Sequence, residues 1–203
     1  MWVVKLGGSL ANHPDDLKRW LKALAEAGQG RVVVVPGGSF FADWVRAAQK
    51  QWGFDDAAAH AMGLRAMEQY GLMLCGLQKS FVTARTETEI RKTLQENQVP
   101  VWLPVQTLAS EDLPPSWDVT SDSLAAWLAR RLAAERLVLV KSCPLPAGET
   151  DMVELSRKGI VDAAFPGFIH AAAFEVWVAN RKDYVRVSSQ LIQRTPAGAK
   201  RSR

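Results

Sequence analysis

Two glycine pairs constrain this chain more than any other feature. Each directly follows an apolar run and directly precedes a serine and a helical pattern. The first is Val3-Val4-Lys5-Leu6-Gly7-Gly8-Ser9 and the second is Val32-Val33-Val34-Val35-Pro36-Gly37-Gly38-Ser39. An unbroken β-branched run reads as the central strand of a parallel sheet, buried on both faces. Glycine after such a strand lets backbone N–H groups approach a ligand, and the helix that follows offers unpaired donors and positive potential. Two such turns at the carboxyl ends of parallel strands mark where open α/β sheets bind ligands. One pair alone is better explained as a tight strand-to-helix turn. Both together, with Lys5 two residues before the first, point to phosphate, because a lysine on an apolar strand is costly to bury without an anion.

The remaining pattern alternates between helix and strand. Pro14 opens a helix carrying Leu17, Trp20, Leu21 and Leu24, with Asp15 and Asp16 in its first turn and Gly28 as its stop. Ser39 is the expected N-cap of a helix through Phe41, Trp44, Val45 and Ala48. A long helix follows over Asp56–Leu77, with Met62, Ala66, Tyr70, Met73 and Leu77 as its expected apolar face. Then come a strand at Phe81–Thr83, a helix at Glu87–Glu96, a strand at Val99–Leu103, a helix at Ser121–Ala134 and a strand at Arg136–Val140. Segments 110–117 and 143–148 read as loops. The last strands expected are Phe174–Val178 and Tyr184–Val187, turning through Asn180–Asp183. This order predicts one domain over residues 1–195, with a mainly parallel sheet covered on both faces.

Composition removes other classes. With 203 residues, 48% hydrophobic and 23% charged, the chain is globular rather than disordered. No apolar run reaches the roughly 18 residues of a membrane helix, and Met1–Gly8 lacks the apolar core of a leader. Cys75 and Cys143 show no CxxC spacing and His13, His60 and His170 no metal-ligand spacing, so no metal site is expected and the cytoplasm is the natural compartment. The net charge of +4 suggests nucleic acid only at first sight. Lys200, Arg201 and Arg203 lie in a basic tail, residues 196–203, and the rest carries +1, so no nucleic-acid partner and no membrane partner is expected. The Walker, dinucleotide and hydrolase-elbow motifs are absent.

A third segment, Trp117-Asp118-Val119-Thr120-Ser121-Asp122-Ser123, gathers hydroxyls and acids at a helix start, shortly before the strand ending in Lys141. Taken alone it reads as capping, with Thr120 or Ser121 as the N-cap. Taken with the glycine pairs it becomes a third wall of one site.

At these residues the chain resembles the amino acid kinase superfamily. Val3–Ser9 is similar to that family's opening K-x-G-G-S strand and loop. Val33–Asp43 is similar to its second glycine loop, and Thr120–Ala126 with Leu137–Lys141 to its aspartate-bearing helix start and next strand. The resemblance implies a three-layer α/β/α sandwich that binds ATP and Mg2+ and transfers the γ-phosphoryl group to a small anionic acceptor. It implies catalytic roles for Lys5 and for Asp122, which would position the lysine. It also implies nucleotide contacts from Gly7, Gly8, Ser9, Lys141 and Ser142, and acceptor contacts from Gly37, Gly38, Ser39, His60, Asp118 and Thr120. A second phosphate-stabilising lysine is expected, with Lys141 and Lys158 as candidates. Trp117 or Phe40 would stack on an aromatic acceptor and Asp118 would pair with its ammonium. Relatives commonly carry Asp-Gly where this chain has Ser142-Cys143-Pro144, which alters the expected contacts to the nucleotide base. The wording fits a branch that phosphorylates the phosphomonoester of an aminomethylfuran in methanofuran biosynthesis. A carboxylate acceptor such as an amino acid, or a non-catalytic nucleotide-binding relative, are the other readings. A homo-oligomer is expected from the family.

Overall fold

The computed structural model describes residues 1–193 apart from 110, 112 and 147–150. Six strands form one parallel sheet in the order β3-β4-β2-β1-β5-β6. They are β1 Trp2–Leu6, β2 Val32–Pro36, β3 Phe81–Ala84, β4 Val99–Trp102, β5 Arg136–Lys141 and β6 Glu175–Asn180. Between them run α1 Pro14–Ala27, α2 Ser39–Trp52, α3 Asp56–Leu77, α4 Glu87–Gln95, α5 Pro104–Leu108, α6 Ser121–Arg131, α7 Met152–Arg157, α8 Phe165–Ile169 and α9 Tyr184–Gln193. A short 3-10 helix, Gly8–Asn12, follows β1.

Strand periodicity builds the three layers. Trp2, Val4 and Leu6 of β1 join Val32, Val34, Val138 and Val140 under α1, α3 and α9, where Trp20, Leu24, Tyr70, Leu74, Val187 and Leu191 complete a core. Val3 points the other way, with Val33, Val35, Leu137 and Leu139, toward α4, α6, α7 and α8 and their Ile90, Leu124, Leu128, Leu155 and Phe165. Lys5 is on that second face by the same alternation, so a cation enters the α6 layer. β1 is central and pairs with β2 on one side and β5 on the other, with Leu6 opposite both Pro36 and Val140. The turns after β1, β2 and β5 therefore emerge side by side at the carboxyl edge, where the strand order reverses.

Three expectations change. Tyr184–Val187 is the start of α9, not a strand. Tyr184-Val185-Arg186-Val187 alternates like a strand, but Val187 and Leu191, four apart, are the buried pair. Packing against α1 overrides the β-branched preference. On α3 the buried residues are Ala59, Ala66, Met67, Tyr70, Gly71 and Leu74, while Met62 and Leu77 are exposed. That helix is apolar on nearly every side, so the period does not fix its inner face. Ser39 is the first helical residue rather than the cap, a position taken by Gly38.

Short helices α5, α7 and α8 lie in stretches to which the sequence pattern assigned no element. No helix among the described residues is long and apolar enough to cross a membrane. The basic tail at 196–203 and the end of the 143–148 loop lie outside the described residues.

Candidate active site

The two glycine turns pack against one another. A Cβ on Gly8 would stand 2.2 Å from the Ser39 nitrogen, and one on Gly37 would stand 2.3 Å from the Gly8 nitrogen. Glycine is therefore required here first for loop-to-loop contact. Two N–H groups expected to reach a ligand are already used: Gly7 donates to the Val140 carbonyl and Gly37 to the Leu6 carbonyl. The donors left to face a ligand belong to the first turns that follow, at Gly8–Ser9 and at Ser39–Phe40, because the opening N–H groups of a helix have no partner within it. Ser39 holds φ at +52°, left-handed for a residue with a Cβ. Its hydroxyl is buried with no hydrogen-bond partner among the described residues. Strain and an unmet donor at one residue are what a binding turn retains.

Beside these turns, α6 delivers Asp122 between two lysines. Lys5 Nζ lies 2.8 Å from Asp122 Oδ1, and Lys141 Nζ donates to Oδ2 at 2.5 Å. Lys5, Asp122 and Lys141 are 5%, 3% and 9% exposed, so two buried cations share one buried anion. Burial works against ionisation of Asp122, but Lys5 and Lys141 outweigh it and hold its pKa at about 2. Burial lowers Lys141 to about 8, and the positive charge of Lys5 adds to that shift, while Asp122 opposes it. Lys158, the other candidate, pairs with Glu154 in the exposed turn of α7 and does not meet this group.

The start of α6 is organised by a residue that sequence reasoning missed. Asp162, from the turn after α7, accepts at Oδ2 from the Thr120 N–H at 3.0 Å, the Thr120 hydroxyl at 2.9 Å and the Ser123 N–H at 3.0 Å. The Ser123 hydroxyl donates to its other oxygen. Thr120 is the N-cap position but makes no side-chain cap of its own; Asp162 caps the helix from a distance. That leaves Asp122 free to turn inward, and the Asp162 N–H donates to Asp122 Oδ2 at 3.2 Å. Asp162 stands in Val161-Asp162-Ala163-Ala164, with no neighbouring motif to flag it.

A cavity of about 220 Å³ opens over the glycine turns. It is lined by Gly8, Ser9, Gly38, Ser39, His60, Trp117, Thr120 and Ser121 among others, so most of the expected acceptor residues meet in one place. Asp118 does not line it, contrary to its expected part in holding an ammonium. Burial keeps the His60 imidazole below its ordinary pKa, although its hydrogen bond to the Ser116 backbone acts the other way. Trp117 is fixed by donation from Nε1 to Gln49 at 2.7 Å, and the Arg46 guanidinium covers its ring at 4.2 Å. One face of that indole is thus already occupied. On the opposite flank Ser9 and Ser142 join hydroxyls at 2.6 Å, linking the turn after β1 to the turn after β5, and Asn180 donates to the Cys143 carbonyl.

The model of the amino acid kinase family matches residues 1–144. A kinase of (5-(aminomethyl)furan-3-yl)methyl phosphate from Methanocaldococcus jannaschii is 26% identical over 199 residues, covering 92% of this chain and 91% of that protein. Among solved structures, uridylate kinase from Archaeoglobus fulgidus superposes with a TM-score of 0.70 at 19% identity, covering 94% of each chain. UMP kinase from Bacillus anthracis gives 0.67 at 15% identity, covering 95% of this chain and 91% of that one. An isopentenyl phosphate kinase gives 0.63 at 17% identity, covering 95% of this chain and 96% of that one.

Proposed function

This chain belongs to the amino acid kinase family, and from that premise we propose that it transfers the γ-phosphoryl group of ATP to a compact phosphomonoester, forming a diphosphate. The acceptor class is that of the Methanocaldococcus jannaschii relative, an aminomethylfuran methyl phosphate. The observation that carries the reading is the Lys5–Asp122–Lys141 group. It holds one more buried positive charge than negative, next to a cavity rimmed by helix-start donors.

The reacting group passes through a state with charge spread over its peripheral oxygens, so positioning and neutralisation do most of the work. An oxygen of the acceptor phosphate attacks the γ-phosphorus as the bond to the β–γ bridging oxygen breaks, and ADP departs with that electron pair. The attacking oxygen is already anionic, so no side chain has to remove a proton. Lys5 and Lys141 neutralise the phosphoryl oxygens from neighbouring strands, and Asp122 fixes the spacing of the two ammonium groups. Gly8, Ser9 and Ser142 serve the nucleotide, while Gly38, Ser39, His60 and Thr120 serve the acceptor. Gly7 and Gly37 act through loop packing.

ATP and its Mg2+ fit this donor set, which consists of ammonium groups, hydroxyls and backbone N–H. When bound with the nucleotide, Mg2+ would supply charge neutralisation. Among the described residues no group of three or more His, Cys, Asp or Glu is placed to hold a metal, so the ion would be held chiefly by phosphate and water. We assign the activity to one domain over residues 1–195, acting in the cytoplasm. Self-association through Trp44 and Trp52, each 74% exposed on α2, completes the proposal; a monomeric mass by light scattering would overturn that part.

The test is ADP release from ATP and Mg2+ over phosphomonoesters, carboxylates and nucleoside monophosphates. Turnover is expected with an aminomethylfuran phosphate and a fall of about 10²- to 10³-fold in kcat for Lys5→Met, the loss typical of one transition-state donor. ATP binding without turnover on any acceptor would make the chain a non-catalytic relative, and turnover confined to carboxylates would reassign the acceptor.

A further inference from the structure

Five residues of α2 line the acceptor cavity: Phe40 and, on one side of the helix, Ser39, Ala42, Asp43 and Arg46. The spacing of the last four, i, i+3, i+4 and i+7, is that of a single helix face, and it imposes a linear order. Ser39 begins the helix against the glycine turns. Asp43 follows about 6 Å along the axis and Arg46 about 10 Å along it. A phosphate held at the helix start therefore has a carboxylate one turn away on the same wall.

Asp43 is the one carboxylate among the residues that line the cavity. Its side chain is 74% exposed and meets Arg46 at 3.4 Å, a long contact between partly exposed groups and therefore a weak one. Arg46 is held elsewhere as well, over the Trp117 ring, with that ring tied to Gln49. An ionised carboxylate has about four acceptor positions, so Asp43 keeps acceptor capacity beyond its contact with Arg46. Burial disfavours the charged form of His60, the other histidine, lysine or arginine besides Arg46 among the lining residues. The cavity of about 220 Å³ is of a size for a small substituted ring rather than a large ligand.

We propose that Asp43 is a specificity-determining residue, selecting an acceptor that carries a cationic amine about one helical turn from its phosphate. This rests on the phosphomonoester kinase reading and assigns to Asp43 the ammonium contact that the sequence suggested for Asp118. Arg46 and Trp117 close the far end of the cavity, limiting how far the amine extends beyond Asp43.

The experiment compares aminomethylfuranyl methyl phosphate with its hydroxymethyl isostere, using the full chain and its Asp43→Asn and Asp43→Ala variants. The wild-type chain is expected to favour the amine in kcat/KM by roughly tenfold, the low end for a hydrogen bond between charged groups, with the difference in KM. In Asp43→Asn the amine-to-hydroxymethyl ratio of kcat/KM falls close to one. A ratio retained in both variants, or no preference in the wild type, overturns the proposal. Calorimetry of the same two compounds without ATP separates this from the kinase reading. If no compound is phosphorylated, that reading fails, and an amine preference in binding that survives Asp43→Asn still overturns the role of Asp43.

Discussion

Lys141 connects residue chemistry to a measurable pH profile. Its pKa lies at about 8 because burial and Lys5 disfavour its charge. As pH rises through 8 the ammonium is lost and phosphoryl stabilisation goes with it, so activity should fall on an alkaline limb with an apparent pKa near 8. Folding should respond in the opposite sense. Between about 8 and the ordinary value of 10.5 the unfolded chain binds the proton and the folded chain does not, so this group's contribution to stability rises with pH. Rate measurements and chemical denaturation across pH 7–10 separate the two trends, and a Lys141→Arg variant should abolish the alkaline limb. Asp122 behaves differently. Its carboxylate, held at about 2, contributes stability that is complete above its ordinary 3.8 and is lost as pH falls from there through 2.

At the scale of elements, α6 depends on a residue from another part of the chain. Asp162 accepts four hydrogen bonds from Thr120 and Ser123. Replacing Asp162 by Ala leaves those donors unmet, and a loss of about 2–4 kcal/mol is expected in urea unfolding. A milder loss is expected for Asp162→Asn, with kcat falling in both variants as Asp122 loses its orientation. This arrangement explains what the sequence could and could not disclose. β1, β2 and β5 were legible because each is an apolar run ending at a marked turn, and Lys5 stood out because it interrupts one. Asp122 was legible as an acid at a helix start, although its partnership with Lys141 required the pairing of β1 with β5. Asp162 was not legible, because a cap supplied across 39 or more positions leaves no local spacing. Asp43 and Arg46 were hidden for a related reason: on an amphipathic helix two exposed charges read as solvated face until Trp117 and its neighbours, far along the chain, form a cavity beside them. Tyr184–Val187 misled because four residues fit either period, and the deciding contact, Leu191, lies beyond them.

At the scale of the whole molecule, strand order and layer assignment place the turns after β1, β2 and β5 at one edge of the sheet. The glycine turns are joined by packing, and the Ser9–Ser142 contact ties them to the end of β5. The same edge concentrates an electrostatic imbalance, since Lys5 and Lys141 share the one buried carboxylate of Asp122, with the part-buried Asp162 acting on Lys141 from beyond it. An inorganic polyanion that enters this edge should therefore act as a conformational stabiliser even where no chemistry follows. Pyrophosphate or tripolyphosphate at 100 times its Kd should add about 2.7 kcal/mol, a rise of several degrees in Tm for a chain of this length. A Lys5→Met variant, with its cations and anion balanced, should gain far less from the same salt. The bare fold is thus a receptor under charge tension, and its melting temperature should report which anions relieve it before any turnover is measured.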